Sequence, residues 1–432
     1  MTTQEMTIVV DRRDLLVDGR TPLVLVSGWT GAMDDVVTSL LGPGTVAVRH
    51  DLSRVYEGVV RRTLYADGDA PRETILELAH GCVSCTLRED LLPLLRTLST
   101  RSSVRRIVLA MDPALEPEAL CWAIENVVVA GIVGQVDGSA SRDVRIEAVI
   151  DCLDAATWLA DATGDDALAD RGIVASGDDD RTVAQVVVGQ VDYADALVVT
   201  AGPEVDAWER AKLAAVLERL APGAPIAWVG PGDKLDADAL VAAVPLGARR
   251  GAITDAHSPL LRGEPPLTAD CGVTLVEFSA TRPFHPERLH EAIDVLLDGV
   301  VTARGRAWVA TQPDEALWIE SAGGGLRVAS AGKWLAAMTP EEQDGVDTSR
   351  RAMAALRWDD DFGDRDTSLV VLVHAADPSE IDRTLQWALV SDDEMTDRQA
   401  WAEWNDPFGQ WHEDPCETTE SPYSEQKKEA QE

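Results

Sequence analysis

The sequence predicts an α/β domain, a mostly parallel sheet with helices on both faces, followed by an α+β domain. Three observations carry this expectation. Short β-branched apolar runs recur through the first 230 residues and alternate with stretches of helical spacing, the pattern of parallel strands covered on both sides. The first of these runs stops at a glycine turn that leads straight into a helical segment, a strand–turn–helix unit. From Cys271 onward the pattern changes: eight of the thirteen Trp fall between Trp308 and Trp411, and strands sit beside a few helices instead of alternating with them.

Taken in order, residues 1–20 are a polar leader. Thr21 to Ser27 (TPLVLVS) is the first strand, Gly28 ends it, and helical spacing continues through Leu41. Further strands are expected at Thr45 to Val48, Arg106 to Ala110, Ile146 to Ile150, Ala196 to Thr200 and Ile226 to Val229, with helices such as Glu116 to Val127 and Val205 to Leu220 between them. The segment ahead of Leu78 reads as long and irregular, and the Asp/Gly-rich stretch Asp161 to Asp180 as a surface loop. These elements make up a domain over 21–261. Arg262 to Leu267 (RGEPPL) opens a linker over 262–270, and the α+β domain runs over 271–411. The acidic, polar residues 412–432 carry too little apolar surface to offset ordering entropy and read as a disordered tail.

Composition limits the function classes. Of the 432 residues 45% are hydrophobic, enough for real cores, and 38 Lys and Arg face 75 Asp and Glu for a formal net charge of −37. That field repels phosphate backbones and anionic lipid, so general nucleic-acid coating is excluded and basic proteins are the favoured partners. No stretch approaches the roughly 20 apolar residues that span a bilayer, and the start shows no signal-peptide pattern, so the expected place is the cytoplasm, with no membrane partner. Cys121, Cys152 and Cys271 lie in apolar segments and read as small buried hydrophobes of a reduced protein.

Cys82 and Cys85 are the informative pair. Thr86 and Glu89 fit a capping box, and Leu87, Leu91, Leu94, Leu95 and Leu98 then share one helical face, with Pro93 a point of kinking. The cysteines are therefore expected just before a helix N-terminus, where free amide N–H groups favour thiolate, the form that binds metal and attacks electrophiles. His80 adds an imidazole, and three N/S donors within six residues suit Zn²⁺. The same spacing also arises by chance in buried helix starts, and no second CxxC or HxxxH pair completes a zinc site. A thioredoxin-like redox role ranks behind both, because the pair does not follow directly on a first strand.

The string HGCVSCTLREDL resembles the NGCxCCTLRxDL signature of the CobW-type metal-chaperone GTPases. The resemblance continues in Arg282 to Leu289 (RPFHPERL), Gly305 to Trp308 (GRAW), Gly363 to Arg365 (GDR), Asp392 to Met395 (DDEM) and Asp406 to Phe408 (DPF), which look like the CobW C-terminal domain, and covers about residues 20 to 411. It implies a P-loop-like first domain and a metal-transfer site of three cysteines. Two of those positions map onto Cys82 and Cys85; the middle one is Ser84, and the family asparagine is His80. His50 and Asp51 align with the family's N-[ED]-x-G segment and are candidates for the remaining ligands. Arg282, His285 and Arg288 belong to a structural motif, not a catalytic one, and Trp308, Trp318, Trp334 and Trp358 are expected in the core and on the sheet face of the second domain, not as a base-stacking platform.

The nucleotide motifs depart from the family. A P-loop uses Lys to neutralise the β/γ-phosphates and Ser/Thr to hold Mg²⁺. Here the loop reads Gly28-Trp29-Thr30-Gly31-Ala32-Met33-Asp34-Asp35, with Asp34 at the lysine position and Asp35 at the hydroxyl position. Two carboxylates facing a triphosphate cost on the order of several kcal/mol, so GTP is not expected to bind. Ala110-Met111-Asp112-Pro113 replaces the Walker-B-like segment, and Thr200-Ala201-Gly202-Pro203 replaces the guanine-reading N-K-x-D. The expectation is a pseudo-GTPase without catalytic residues. It is similar to the degenerate actinobacterial members of the family that bring a protein Y type hibernation factor to the small ribosomal subunit under zinc limitation. The alternative is a zinc metallochaperone GTPase with a non-standard P-loop.

Overall fold

The structure, a computed structural model, describes residues 18–78, 83–173 and 179–409, with Ser84 and Cys85 described by their backbone alone. Eight strands form the first sheet: β1 (Thr21–Gly28), β2 (Thr45–Asp51), β3 (Val59–Ala66), β4 (Arg72–Glu77), β5 (Arg106–Ala110), β6 (Val144–Asp154), β7 (Ala196–Thr200) and β8 (Ile226–Val229). Their order is β4-β3-β2-β5-β1-β6-β7-β8. The six strands from β2 to β8 in that order run parallel, while β3 and β4 add an antiparallel hairpin at one edge. Helices α1 (Ala32–Leu40), α2 (Val83–Thr86), α3 (Leu92–Ser99), α4 (Pro117–Asn126), α5 (Trp158–Ala162), α6 (Val183–Tyr193), α7 (Ala207–Leu220) and α8 (Ala237–Ala243) connect them.

Alternation along β1 divides the core between the two faces. Leu23 and Leu25 pack toward α3 and α4, whereas Val24 and Val26 pack toward α1 and α8. A strand buried on both faces has no polar side, which is why its sequence is a continuous apolar run. The second sheet is antiparallel, with β9 (Thr274–Ala280), β10 (Val300–Ala307), β11 (Glu315–Ala322), β12 (Gly325–Lys333) and β13 (Thr367–Val373) in the order β12-β11-β10-β13-β9. Helix α9 (Pro286–Ala292) and the helix Pro378–Ala388 pack on it around Phe278, Leu289, Leu369 and Leu385. The fold is the α/β plus α+β arrangement that the sequence pattern predicts. Among the described residues, no helix is long and apolar enough to cross a membrane.

Several local expectations are corrected. The segment expected to be irregular is the β3–β4 hairpin; β4 is mostly exposed and so carries no apolar alternation to read. The stretch Asp161 to Asp180 includes the end of α5 and a 3₁₀ turn at Leu168–Arg171 with Leu168 fully buried. Thr86 is not an N-cap: it has helical dihedrals and is buried, because α2 already starts at Val83 and puts the Cys85 backbone inside the first turn. The helix then passes through a π turn at Leu87–Leu91 before α3, next to Pro93, whose missing N–H interrupts the regular ladder.

Trp308 and Trp334 are core residues, but Trp358 is half-exposed after the helix Thr348–Arg357. Cys121 and Cys152 are buried, and burial pushes the Cys121 thiol up to about 12. Cys271 is only partly buried, in a left-handed turn at φ 50° with its thiol 3.4 Å from Asp270 Oδ1. Residues 1–17 of the leader and the tail 412–432 lie outside the described residues.

Candidate functional site

At the end of β1 the backbone demands glycine. Gly28 has φ +126°, and a Cβ there would lie 2.1 Å from the Cys152 carbonyl oxygen on β6. The turn that follows is closed by Thr30, whose Oγ1 accepts the Ala32 N–H at 3.2 Å, and α1 begins at once. The first turn of a helix is where a P-loop presents amide N–H groups and positive potential to phosphate. Here Asp34 and Asp35 occupy that turn, so the chain's own carboxylates complement the dipole. Asp34 is also ion-paired with Arg49 on β2.

Beside the loop lies a cleft of about 280 Å³, bounded by Gly28, Trp29, Gly31, Asp151, Trp158 and Arg171. Among the described residues that line it, Arg171 is the one cation, and it is engaged by Asp161 at 2.7 Å and Asp166 at 3.0 Å. The buried Asp151 accepts a hydrogen bond from Ser27 Oγ at 2.8 Å, and burial pushes its carboxyl up to about 7. The other two degenerate motifs serve as structural brackets. Asp112 accepts the backbone N–H groups of Leu52 (3.0 Å) and Ala114 (3.1 Å), tying the end of β2 to the end of β5, and burial raises its carboxyl above the ordinary range. Thr200 Oγ1 donates to the Leu153 carbonyl at 3.2 Å, and the Glu204 carboxylate folds back against Gly202. The first turn of α1 thus carries two carboxylates where a P-loop carries a lysine and a hydroxyl.

The cysteine segment enters between β4 and α2. His80 and Cys82 lie outside the described residues, and Cys85 is placed by its backbone on α2. Among the described residues no three His, Cys, Asp or Glu side chains come together as a metal cage. One imidazole, however, is built into this neighbourhood. His50, at the end of β2, is 4% exposed, and its Nε2 donates to Asp90 Oδ2 at 2.8 Å. Asp90 follows α2 on the π turn, and its other oxygen is ion-paired with Arg62 of β3. With Nε2 held by a carboxylate, the remaining nitrogen, Nδ1, is buried without a hydrogen-bond partner. A small void of about 10 Å³ runs between His50 and Val83, Thr86, Leu87 and Asp112, so the orphaned nitrogen belongs to a side chain on the wall shared with the cysteine helix.

A carboxylate-held imidazole with a free second nitrogen is the usual outer arrangement of a zinc-binding histidine, and on that ground His50 fits a zinc ligand. Asp51 turns the other way, paired with Arg61 at 2.6 Å and accepting the Ser53 N–H at 3.0 Å. Asp90 and Arg62 were not identifiable as site residues from sequence, although Asp90 lies within the CTLRED string that carries the motif. Arg282, His285 and Arg288 form a structural corner. Arg288 holds Glu394 at 3.1 and 2.7 Å, Arg282 holds Asp392 at 2.9 Å, and His285 stacks on Trp404 at 4.3 Å.

Comparison with known proteins gives two family matches. Residues 54–227 match the CobW/HypB/UreG nucleotide-binding domain, and residues 273–389 match the cobalamin synthesis protein cobW C-terminal domain. The glycine loop at Gly28 to Asp35 precedes the first match. The zinc chaperone Rv0106 of Mycobacterium tuberculosis is 51% identical over 401 residues, covering 92% of this chain and 95% of that protein. An uncharacterised Mycobacterium bovis protein, Mb0109, matches to the same extent. The zinc-regulated GTPase metalloprotein activator 1 of Dictyostelium discoideum is 23% identical over 404 residues, covering 89% of this chain and 82% of that protein. Among solved structures, the Zn(II)-bound YjiA GTPase of E. coli aligns with 13% identity and a TM-score of 0.37, over 86% of this chain and 99% of that one.

Proposed function

The chain belongs to the CobW family, and on that premise we propose that it is a zinc-responsive member without nucleotide turnover, which works by recruiting a partner. The observation that carries this reading is the pair Asp34 and Asp35 in the first turn of α1, where a working site places a lysine and a magnesium-binding hydroxyl. A zinc-related role is supported by the relatives named as a zinc chaperone and a zinc-regulated GTPase activator. In this reading Cys82, Cys85 and His80, with His50 as a further nitrogen donor, hold zinc as the signal. The ion draws the segment around α2 and the end of β2 into one arrangement, and only one of the two arrangements docks on the partner.

The partner class follows from charge: at −37 the surface suits basic proteins, and the reading adopted is a hibernation factor of the protein Y type delivered to the small ribosomal subunit when zinc is scarce. The place of action is then the cytoplasm. Replacing Cys82 and Cys85 by Ser and following ribosome association in low and high zinc tests the switch; the wild type is expected to change its association with zinc and the variant to lose that response. A wild-type response retained in the variant removes the cysteines from the mechanism.

A second reading, a zinc metallochaperone GTPase with a non-standard loop, is favoured by the GTPase and chaperone names of the relatives. Calorimetric titration with GTP and Mg²⁺ separates the two. Absence of binding is expected, and micromolar binding with phosphate release would restore the enzyme.

A further inference from the structure

Away from both the glycine loop and the cysteine helix, arginines from three parts of the chain converge where the two sheets meet. Arg219 comes from the end of α7, Arg262 from the connecting segment, and Arg304 from β10. They line a cavity of about 20 Å³ whose remaining wall is mainly apolar, including Leu220, Leu275 and Val370. Among the described residues, no carboxylate lines it. Arg219 is 5% exposed; its two terminal nitrogens donate to the Ala215 and Thr268 carbonyls, each at 2.6 Å, while its Nε is buried without an acceptor. Arg262 Nη1 makes no hydrogen bond and has only a long ion pair, 3.5 Å, with Asp192 Oδ2.

The nearest carboxylate is oversubscribed. Asp192, near the end of α6, is 2.6 Å from Arg304, 3.5 Å from Arg262 and 3.7 Å from Arg249, so three guanidinium groups share one negative charge. Glu118 and Glu320 are the other carboxyl groups felt by Arg304, and burial pushes Glu320 toward its neutral form. Buried donors without acceptors are costly, more so when charged, so a donor-rich, cationic void calls for an occupant.

We propose that this cavity is a monovalent-anion site, sized for chloride or bromide, that ties the first domain to the second. The void, at about 20 Å³, exceeds the roughly 10–15 Å³ that one water needs, which leaves room for a single small ion. A halide only accepts hydrogen bonds, matching side chains that only donate. Water would satisfy the N–H groups while bringing two protons of its own and leaving the charge uncompensated.

The test is thermal unfolding of the full chain in sodium bromide against sodium gluconate at matched ionic strength, for wild type and for Arg262→Gln. Arg262 is the most accessible of the three, so its replacement is the least disruptive to folding. Exchanging gluconate for bromide is expected to raise the wild-type midpoint by about 2–4 °C relative to the same exchange in the variant. Equal responses in the two proteins overturn the site. Crystals of the wild type soaked in bromide give an independent readout: anomalous density among Arg219, Arg262 and Arg304 supports the proposal, and an ordered water there without anomalous signal overturns it.

Discussion

Asp151 stands at the carboxyl end of the central strand pair with the Ser27 hydroxyl and the Cys152 backbone as its hydrogen-bond donors. Burial pushes its folded pKa up to about 7 from an ordinary value of 3.8. Between those values the folded chain keeps a proton that the unfolded chain has released, so this group's contribution to stability is full below about 4 and is lost as pH rises toward 7. Asp151→Asn keeps an acceptor for Ser27 and removes the titration. Relative to wild type, the variant is expected to gain about 2–3 kcal/mol more at pH 8 than at pH 5 in urea unfolding; parallel profiles would place the proton elsewhere. One strand away in register, Gly28 makes a steric demand instead of an electrostatic one. Gly28→Ala drives a methyl group to 2.1 Å from a backbone oxygen at positive φ, and a loss of about 3 kcal/mol or more is expected in the same assay.

Among the elements, the helical run from α2 to α3 carries Cys85 and Asp90, and Arg96 anchors its far end. This side chain is 2% exposed, yet it reaches Asp143 at 2.6 Å and the carbonyls of Val129 (3.0 Å), Gly138 (3.0 Å) and Val136 (2.8 Å). Arg96→Met retains the apolar stem and strands those acceptors, so a loss of about 3 kcal/mol is expected, with faster amide exchange over residues 127–143; a loss under about 1 kcal/mol would show that the loop holds itself. None of this network was visible in the sequence, where Arg96 falls on the side of the helix away from Leu87, Leu91, Leu94, Leu95 and Leu98. The parallel strands were legible because burial on both faces leaves an uninterrupted apolar string. Helix α6 was not, since VAQVVVGQV has strand-like composition, and the Thr182 capping box with burial all round decides its conformation. At the site, Gly28, Asp34 and Asp35 were legible because their spacing is local. The His50–Asp90–Arg62 chain was not, because it joins two strands to a helix across 40 residues of sequence.

At the scale of the whole molecule, the two domains share apolar structure as well as charge. One buried cluster includes Leu153, Val187 and Leu197 of the first domain together with Val273, Val301, Ala322 and Leu372 of the second. The turn between β11 and β12 presses into the first domain, with Gly324 N–H donating to the Gly164 carbonyl at 2.9 Å. A Cβ at Gly323 would lie 2.3 Å from the Gly164 oxygen and 2.8 Å from Ala184 Cβ. A core divided between two domains cannot lose one half without exposing the other, so calorimetry of the wild type is expected to show a single transition. Gly323→Val forces the turn out of its seat and is expected to split that transition in two. Gly332→Ala serves as the control on the same hairpin: it too has positive φ, at 79°, but its added methyl meets nothing within 4 Å. It should lower the midpoint through backbone strain and leave one transition. If Gly323→Val also melts in a single step, the shared cluster holds the domains together without the turn.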